Sequence, residues 1–528
     1  MPLLTVEGLT VALPPGADRA HAVHDVSFTL AAGEILCIVG ESGSGKSVSA
    51  SAIMGLLPAA LRPTAGRIGF EGADLLAATP AAMRLLRGAR LGMVFQEPMT
   101  ALNPLMRVGQ QLAEVLHVHG ARVGTRPQEL LQAVHLPDPA RMLRAYPHQL
   151  SGGQRQRVMI AMALALEPAI LIADEPTTAL DVTTQKEILR LIREVQNRRG
   201  TGVLFITHDF GVVAEIADRV AVMQSGEIVE QGPADTVLNR PQHPYTRALI
   251  AAVPARAREA RPPEMGEVVL ALDSVGKTYR RGGLLRRAGT PAVVDATLEV
   301  RRGETLGLVG ESGSGKSTLA RCVVNLVQPD TGSIRFCGTD LRPLSRAAWR
   351  PYRKRIGMVF QDPFASLNPR RRVGDIIAEG PVAHGMARPA ALARAAELLR
   401  LVQLDPGAAG RFPHEFSGGQ RQRIGIARAL ALEPELLVAD EPVSALDVSV
   451  QAQILALLED LRTRLGLTML FITHDLRVAA QVCDRVAVMQ RGRIVEQGPT
   501  QAVFADPQHE YTRTLLDSVP GRNWTPPA

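Results

Sequence analysis

The chain has 528 residues, too many for a single hydrophobic core, which predicts several compact units. Its formal charge of +7 comes without a basic block long enough to bind a polyanion, and its four cysteines lack metal-ligand spacing. No apolar run approaches the ~20 residues of a membrane-spanning helix, and the N-terminus lacks the pattern of a signal peptide. We therefore expect a soluble chain that works in a reducing compartment.

The same eight residues, GESGSGKS, occur at 40–47 and again at 310–317. The similarity extends well beyond them, because Asp174 recurs 266 residues later as Asp440, and the other landmarks keep nearly the same offset. So long and constant an offset indicates tandem duplication of a whole domain rather than a short-period repeat.

The duplication places one domain at residues 1–254 and the other at 267–528, joined by a polar, proline-containing linker at 255–266. Each half begins with strand-like runs of alternating polarity, LLTVEGLTVAL and EVVLALDSVGKTY. Short apolar runs such as ILCIVG, AILIADE and GVLFITH then alternate with amphipathic helical patterns. Strands that are apolar on both faces suit a sheet covered by helices on each side, so we predict an α/β fold.

GESGSGKS follows a predicted strand and precedes a predicted helix in both halves, which is the setting of a phosphate-binding loop. The glycines let backbone N–H groups converge on phosphate oxygens, and the helix N-terminus adds the positive end of its dipole. We expect the lysine to reach the β- and γ-phosphates and the last serine to bind Mg²⁺. These predicted nucleotide-binding residues are Gly40, Glu41, Ser42, Gly43, Ser44, Gly45, Lys46 and Ser47, with Gly310, Glu311, Ser312, Gly313, Ser314, Gly315, Lys316 and Ser317.

Two acidic residues end the strands ILIADE and LLVADE. We expect Asp174 and Asp440 to hold Mg²⁺ through water. The next residues, Glu175 and Glu441, should point to the other side of the strand by its period of two and polarise the attacking water as general bases.

The segment LSGGQ at 150–154, repeated as FSGGQ at 416–420, completes a pattern that resembles the nucleotide-binding domains of ABC ATPases. The resemblance implies two tandem P-loop domains, each with a RecA-like mixed sheet core, an antiparallel β subdomain and a helical signature subdomain. It also implies head-to-tail packing that buries two ATP molecules, so that Lys46 faces Ser417 and Lys316 faces Ser151. The implied signature residues are Ser151, Gly152, Gly153 and Gln154, with Ser417, Gly418, Gly419 and Gln420.

Other family elements match residue by residue, and their roles are implied by the resemblance. Gln96 and Gln361 occupy the Q-loop, which touches Mg²⁺, the attacking water and the membrane partner. Asp181 and Asp447 match the D-loop. His208 and His474 match the switch histidine, 34 residues after the strand-end aspartate in both halves.

The predicted adenine platform differs between the halves. Tyr279 stands where the family places an aromatic ring in the second half, whereas the first half has no aromatic residue there. Either Leu13 packs on adenine, or His21 or His24 substitutes for the ring. We expect weaker nucleotide affinity in the first half and hydrolysis in both.

Three strings resemble the ATPases of dipeptide, oligopeptide and nickel importers: QEPMTALNP with QDPFASLNP, the tails HPYTRALIAAVP and HEYTRTLLDSVP, and the insertion that contains RRGGLLRR, which we interpret as a solvated basic loop. The combination resembles fused double-ATPase subunits such as those of glutathione- or microcin C-type importers. This implies two integral-membrane permeases and an extracytoplasmic solute-binding protein as partners, one fused chain per transporter, a location on the cytoplasmic side of the inner membrane and no direct contact with nucleic acid. Because the residues that directly follow the tails contain no cysteine, we expect no iron–sulfur cluster. The alternative is a soluble twin-ABC ATPase that acts on the ribosome or on nucleic acid, although such proteins usually have a long charged linker.

Overall fold

The computed structural model describes residues 2–178, 180–253, 266–280, 289–444 and 446–527. Its described residues fall into two compact units, one drawn from Met1–Leu180, Thr184–Val253 and Val519–Ala528, the other from Asp181–Thr183 and Pro254–Ser518. The domain boundaries given above stay a prediction. The basic loop at 281–288 and nearly all of the linker at 255–266 lie outside the described residues.

The first unit contains ten strands and eleven α-helices among its described residues. The strands are β1 Leu4–Ala12, β2 His21–Leu30, β3 Ile35–Val39, β4 Arg62–Phe70, β5 Ala73–Asp74, β6 Leu91–Val94, β7 Ile170–Asp174, β8 Gly202–Thr207, β9 Arg219–Gln224 and β10 Glu227–Pro233. The helices are α1 Lys46–Ile53, α2 Pro80–Leu86, α3 Pro98–Ala101, α4 Val108–Val118, α5 Arg126–Ala133, α6 Pro139–Arg144, α7 Gly152–Ala163, α8 Val182–Arg199, α9 Phe210–Ile216, α10 Ala234–Asn239 and α11 Pro244–Ala251.

The second unit repeats this order with one helix fewer among its described residues. Its strands are β11 Val268–Arg280, β12 Gly289–Arg301, β13 Thr305–Val309, β14 Thr331–Phe336, β15 Thr339–Asp340, β16 Ile356–Val359, β17 Leu436–Asp440, β18 Thr468–Thr473, β19 Arg485–Gln490 and β20 Arg493–Pro499. Its helices are α12 Lys316–Val323, α13 Tyr352–Arg355, α14 Pro363–Ser366, α15 Val373–Ala383, α16 Arg388–Leu401, α17 Gly418–Leu430, α18 Val448–Leu465, α19 Leu476–Val482, α20 Thr500–Ala505 and α21 Glu510–Asp517.

Each unit contains an antiparallel sheet and a mixed central sheet. The antiparallel sheets have the orders β2-β1-β4-β5 and β12-β11-β14-β15. The central sheets have the orders β10-β9-β3-β8-β7-β6 and β16-β17-β18-β13-β19-β20. Their strands are parallel except for the antiparallel pairs β9–β10 and β19–β20. Every residue of β3, β7 and β8 is buried, as expected of strands that are apolar on both faces.

A hydrophobic core joins the two sheets of each unit. In the first unit, Leu4 and Phe28 of the antiparallel sheet pack in one cluster with Ile38 and Ile172 of the central sheet. Because the central strands are parallel, their carboxyl ends meet at one edge, and the loops after β3, β7 and β8 all leave from that edge. No helix in the described part of the chain is both long and apolar enough to cross a membrane.

Candidate functional site

The octapeptide loop connects β3 to α1 in the first unit and β13 to α12 in the second. Gly45 and Gly315, the residues just before these helices, have φ values of 105° and 110°, which L side chains rarely adopt. A Cβ on Gly45 would lie 2.7 Å from the carbonyl oxygen of Ala22, and one on Gly315 would lie 2.2 Å from that of Ala292. The loop therefore passes so close to the antiparallel sheet that only glycine fits.

The loop lysine is buried and bound by its own loop in both units. Lys46 Nζ donates to the carbonyl oxygens of Gly40 and Glu41, each at 2.7 Å, and Lys316 makes the same bonds to Gly310 and Glu311. Burial lowers the pKa of Lys316, against the opposing charges of the nearby carboxylates. Because burial has removed water from this ammonium, an anion bound at the loop would stabilise its charged form.

The loop serine and the strand-end aspartate are in contact. Ser47 Oγ donates to Asp174 Oδ1 at 3.0 Å, and Ser317 Oγ donates to Asp440 Oδ1 at 2.9 Å. Burial raises the pKa of Asp174 to about 6, although the Ser47 bond lowers it, and burial also raises the pKa of Asp440. A hydroxyl and a buried carboxylate form an oxygen-only donor set, which fits Mg²⁺ and would stabilise the ionised aspartate.

The glutamate that follows the aspartate contacts two other predicted site residues through its carboxylate. Glu175 accepts a hydrogen bond from Gln96 Nε2 at 3.0 Å, and His208 Nδ1 lies 3.4 Å from its other oxygen. In the second unit the corresponding distances are 2.9 Å for Gln361 to Glu441 and 3.2 Å for His474 to Glu441.

Electrostatics keeps these glutamates ionised. Burial alone would raise the pKa of Glu175, but the hydrogen bond and charge of His208 lower it to about 2. The same causes lower the pKa of Glu441. Burial opposes the charged form of His474, yet its bond to Glu441 raises its pKa, so the pair behaves as an ion pair.

Strand alternation does not place the glutamates, so the physical reason given for their direction is wrong. β7 ends at Asp174, and Glu175 has a φ of 46°, in the left-handed region; Glu441 has a φ of 48°. This conformation turns the chain sharply after the strand and aims the glutamate toward the Q-loop and the histidine. Non-glycine residues held in this region commonly mark functional sites.

The signature serine begins a helix in each unit. Ser151 is the N-cap of α7: its Oγ accepts from the Gln154 N–H at 3.3 Å, and Gln154 Oε1 accepts from the Ser151 N–H at 3.0 Å. Ser417 and Gln420 form the same capping box on α17. A Cβ on Gly153 would lie 2.5 Å from the Thr184 side chain, so this glycine lets α7 pack closely on α8.

The D-loop aspartates precede the long helices α8 and α18, and Asp447 is the N-cap residue of α18. The two aspartates therefore occupy matching positions, each just before the long helix that packs on the signature helix of its half.

The regions where the sequence predicts the adenine platform contain different residues in the two units. The Tyr279 side chain on β11 is exposed. In the first unit Leu13 directly follows β1, and the rings of His21 and His24 stack with centroids 5.1 Å apart. His24 Nδ1 lies 2.8 Å from Glu227, so its ring is already engaged by another residue.

Two kinds of contact in these sites are not predicted by the sequence patterns. The hydroxyl of Tyr245 accepts a hydrogen bond from the Glu41 N–H at 3.2 Å, and Tyr511 accepts from Glu311 at 3.1 Å. Thr178 Oγ1 donates to Glu175 at 2.9 Å in the first unit. The H-x-Y-T string occurs in both halves, and this repetition is the only sequence signal for the tyrosine.

Both halves of the chain resemble known protein families. The family described as ABC transporter matches residues 23–178 and 293–444, and the family described as oligopeptide/dipeptide transporter, C-terminal region, matches 229–281 and 495–524. The chain belongs to the ABC transporter family. It is an ATP-hydrolysing protein with two tandem cassettes, and the family match together with the two sets of sheets confirms the predicted fold class. ABC cassettes in general bind ATP with Mg²⁺.

Two relatives resemble nearly the whole chain. The peptidoglycan transport ATP-binding protein YejF of Agrobacterium fabrum is 48% identical, covering 98% of this chain and 96% of its own. The glutathione import ATP-binding protein GsiA of Escherichia coli K12 is also 48% identical, covering 98% of this chain and 89% of its own. The post-hydrolysis dimer of the cassette MJ0796, bound to ADP and Pi, matches 44% of this chain and 98% of its own at 30% identity and a TM-score of 0.40. The predicted resemblance to fused importer ATPases is confirmed.

Proposed function

We propose that this chain powers the import of a peptide-like solute through two integral-membrane permeases, with an extracytoplasmic solute-binding protein delivering the solute. The proposal is supported by the names of the two relatives and by the oligopeptide/dipeptide transporter region that follows each cassette. One fused chain would serve each transporter from the cytoplasmic side of the inner membrane.

The duplicated set of lysine, serine, aspartate, glutamate, glutamine and histidine is the observation that carries the ATP-hydrolysing part of the proposal. In each unit the lysine and the loop amides would bind the phosphates of ATP, and Ser47 with Asp174, or Ser317 with Asp440, would hold Mg²⁺. When bound, Mg²⁺ would neutralise charge on the phosphate oxygens. By the family resemblance, the signature of one half would complete the site of the other.

The contacts of Glu175 suggest how hydrolysis is restrained before the permease is engaged. A carboxylate that already accepts from Gln96 and lies against His208 binds a proton weakly, so it is a poor general base in this arrangement. One of these contacts has to open before Glu175 can orient the attacking water and accept its proton. Gln96 is exposed and is the predicted point of permease contact, so docking of the permease would release the carboxylate.

The test is a chain that carries both Glu175→Gln and Glu441→Gln. We expect ATPase turnover to fall by about 10²-fold or more, because a general base contributes ~10²–10⁴-fold, while ATP remains bound at two molecules per chain. Glu299→Gln is the matched control, since Glu299 is an exposed glutamate on β12. Normal turnover in the double variant would refute the assignment of the base.

A second experiment tests the transport role. The tagged chain, purified in mild detergent from its native membranes, should bring with it two polytopic permeases in equal amounts. Ribosomes or DNA in place of permeases would instead support the twin-ABC alternative and leave only the ATPase chemistry.

A further inference from the structure

The segment that follows each cassette contacts the phosphate loop directly. After β10 the chain forms α11, whose second residue is Tyr245, and after β20 it forms α21, whose second residue is Tyr511. Each tyrosine hydroxyl accepts from the backbone N–H of the second loop residue, at 3.2 Å in the first unit and 3.1 Å in the second. The partners are 204 and 200 residues apart in sequence, so the contact is a product of the fold.

The bonded N–H belongs to a peptide group that the phosphate lysine holds from its other side. The Gly40–Glu41 peptide donates its N–H to Tyr245 and accepts Lys46 Nζ on its carbonyl oxygen at 2.7 Å. Lys46 also donates to the next carbonyl oxygen, of Glu41, at 2.7 Å. The two polar ends of a planar trans peptide point in opposite directions, so the tyrosine and the lysine together fix its orientation.

The tyrosine is itself held by a short chain of hydrogen bonds. Glu230 on β10 accepts from the N–H groups of Gln242 and His243 at 2.8 and 3.0 Å, and His243 Nδ1 accepts from the Tyr245 N–H at 3.2 Å. The second unit repeats this with Glu496, Gln508, His509 and Tyr511 at 2.8, 3.1 and 3.1 Å. Apolar residues of each helix, such as Leu249 and Leu515, are buried and seat it on its unit.

Burial also keeps the hydroxyl in the form that the contact needs. The Tyr511 ring is 8% exposed, and burial raises its pKa to about 12, so the phenol stays neutral at any physiological pH. A neutral hydroxyl can accept from the loop N–H and still donate its own proton. The tail and the loop also line a solvent-open pocket of about 460 Å³ in the second unit, with Tyr511 and Ser312 among its lining residues.

We propose that Tyr245 and Tyr511 are positioning residues for ATP: each fixes the first peptide group of its phosphate loop and thereby aims the loop lysine. The tail after each cassette would then stabilise the conformation of the nucleotide site. This inference rests on the proposed role of the loops in binding ATP. It gives one role to the glutamate, histidine and tyrosine that occur in both units, at 230, 243 and 245 and at 496, 509 and 511.

The experiment uses the full chain with Tyr245→Phe, Tyr511→Phe and both together. Phenylalanine keeps the ring and its packing and removes only the hydroxyl. One net hydrogen bond corresponds to a change of about two- to tenfold in an equilibrium constant, so we expect KM for ATP, and the Kd for a non-hydrolysable ATP analogue with Mg²⁺, to rise by that factor at the altered site. Because the tyrosine hydroxyl bonds to the loop backbone and not to the proposed general base, kcat should change by less than twofold.

Two further readouts separate positioning from general stability. Hydrogen exchange of the peptide that contains residues 40–45 should become faster in Tyr245→Phe, and that of residues 310–315 in Tyr511→Phe, each without an effect on the other loop. Tyr352→Phe is the control, since the Tyr352 ring packs against Phe336 and Trp349 in the antiparallel sheet region; it should change neither exchange nor KM.

The outcomes are distinguishable. Unchanged Kd and unchanged loop exchange in the double variant would overturn the inference, and so would a lowered melting temperature with unchanged Kd. Lys46→Ala with Lys316→Ala should abolish binding of the analogue. If that variant still bound normally, the proposed role of the loops would fail, whatever the tyrosine variants do.

Discussion

Each phosphate loop contains two glycines whose replacement by alanine would have different consequences: one substitution strains the backbone, and the other also creates a steric clash. Gly43 and Gly45 have φ values of 77° and 105°, so an alanine at either position is strained. A Cβ on Gly45 would also lie 2.7 Å from the Ala22 carbonyl oxygen, whereas a Cβ on Gly43 would meet nothing within 4 Å. Only one of the two substitutions therefore forces the loop away from β2.

The magnitudes follow from these contacts. Gly43→Ala should lower the free energy of unfolding by about 1–2 kcal/mol, the usual penalty for a left-handed L-residue. Gly45→Ala should lower it by about 1–3 kcal/mol more, the typical penalty of overpacking, because a backbone carbonyl cannot rotate away as a side chain can. Since Lys46 follows Gly45 directly and begins α1, displacement of the loop should also weaken ATP binding by tenfold or more, which corresponds to about 1.4 kcal/mol.

Urea denaturation and titration with an ATP analogue measure the two effects, and the second unit offers an independent replicate. There a Cβ on Gly315 would lie 2.2 Å from the Ala292 carbonyl oxygen, while Gly313 again has nothing within 4 Å. Equal losses of stability and affinity for the two alanine variants of one loop would refute the reasoning, since it would mean that the close approach does not constrain the loop.

The remaining predictions concern single side chains. Tyr279→Ala should raise the Kd for ATP at the second site by about 5- to 150-fold, the equivalent of ~1–3 kcal/mol of stacking. Leu13→Ala should have a smaller effect on the Kd at the first site. Equilibrium binding to chains in which only one ATP site is intact measures both effects. Asp174→Asn should make ATPase activity of the first site depend on a higher Mg²⁺ concentration, seen as a shifted Mg²⁺ titration, because the oxygen donor set loses its charge. Burial opposes the ionised form of Glu496, but its bonds lower its pKa, so its contribution to stability is present above its unfolded pKa and is lost as the pH falls. The melting temperature of Glu496→Gln should therefore lie below that of the unaltered chain at pH 7, and the gap should close as the pH falls below about 4.

The catalytic edge of each unit could be predicted from sequence because its residues lie in short, local patterns. The glycine loop between an apolar strand and a helix defines its own conformation, and the acidic pair at the end of ILIADE lies at the same sheet edge because parallel strands share their carboxyl ends. The contact of Ser47 with Asp174 follows from that arrangement.

The remaining features depend on distant chain segments or on backbone angles. The contact between Tyr245 and Glu41 joins residues 204 positions apart, and no local periodicity reports it. The left-handed φ of Glu175 could not be predicted, since glutamate has no preference for that conformation and only the surrounding structure imposes it. The capping role of Ser151 was visible in principle, because a serine followed three residues later by glutamine is a helix-start signal.

The left-handed glutamates also bear on how this protein could be engineered. At Glu175 and Glu441 the backbone has a shape that glycine or asparagine adopts more easily, and the chain nevertheless keeps a carboxylate there. A consensus-based or computational redesign that maximises thermal tolerance would tend to replace both residues and would deliver a more stable protein with turnover lower by about 10²-fold or more. The sequence that folds best and the sequence that works best therefore differ at these two positions, which a stabilising library should hold fixed.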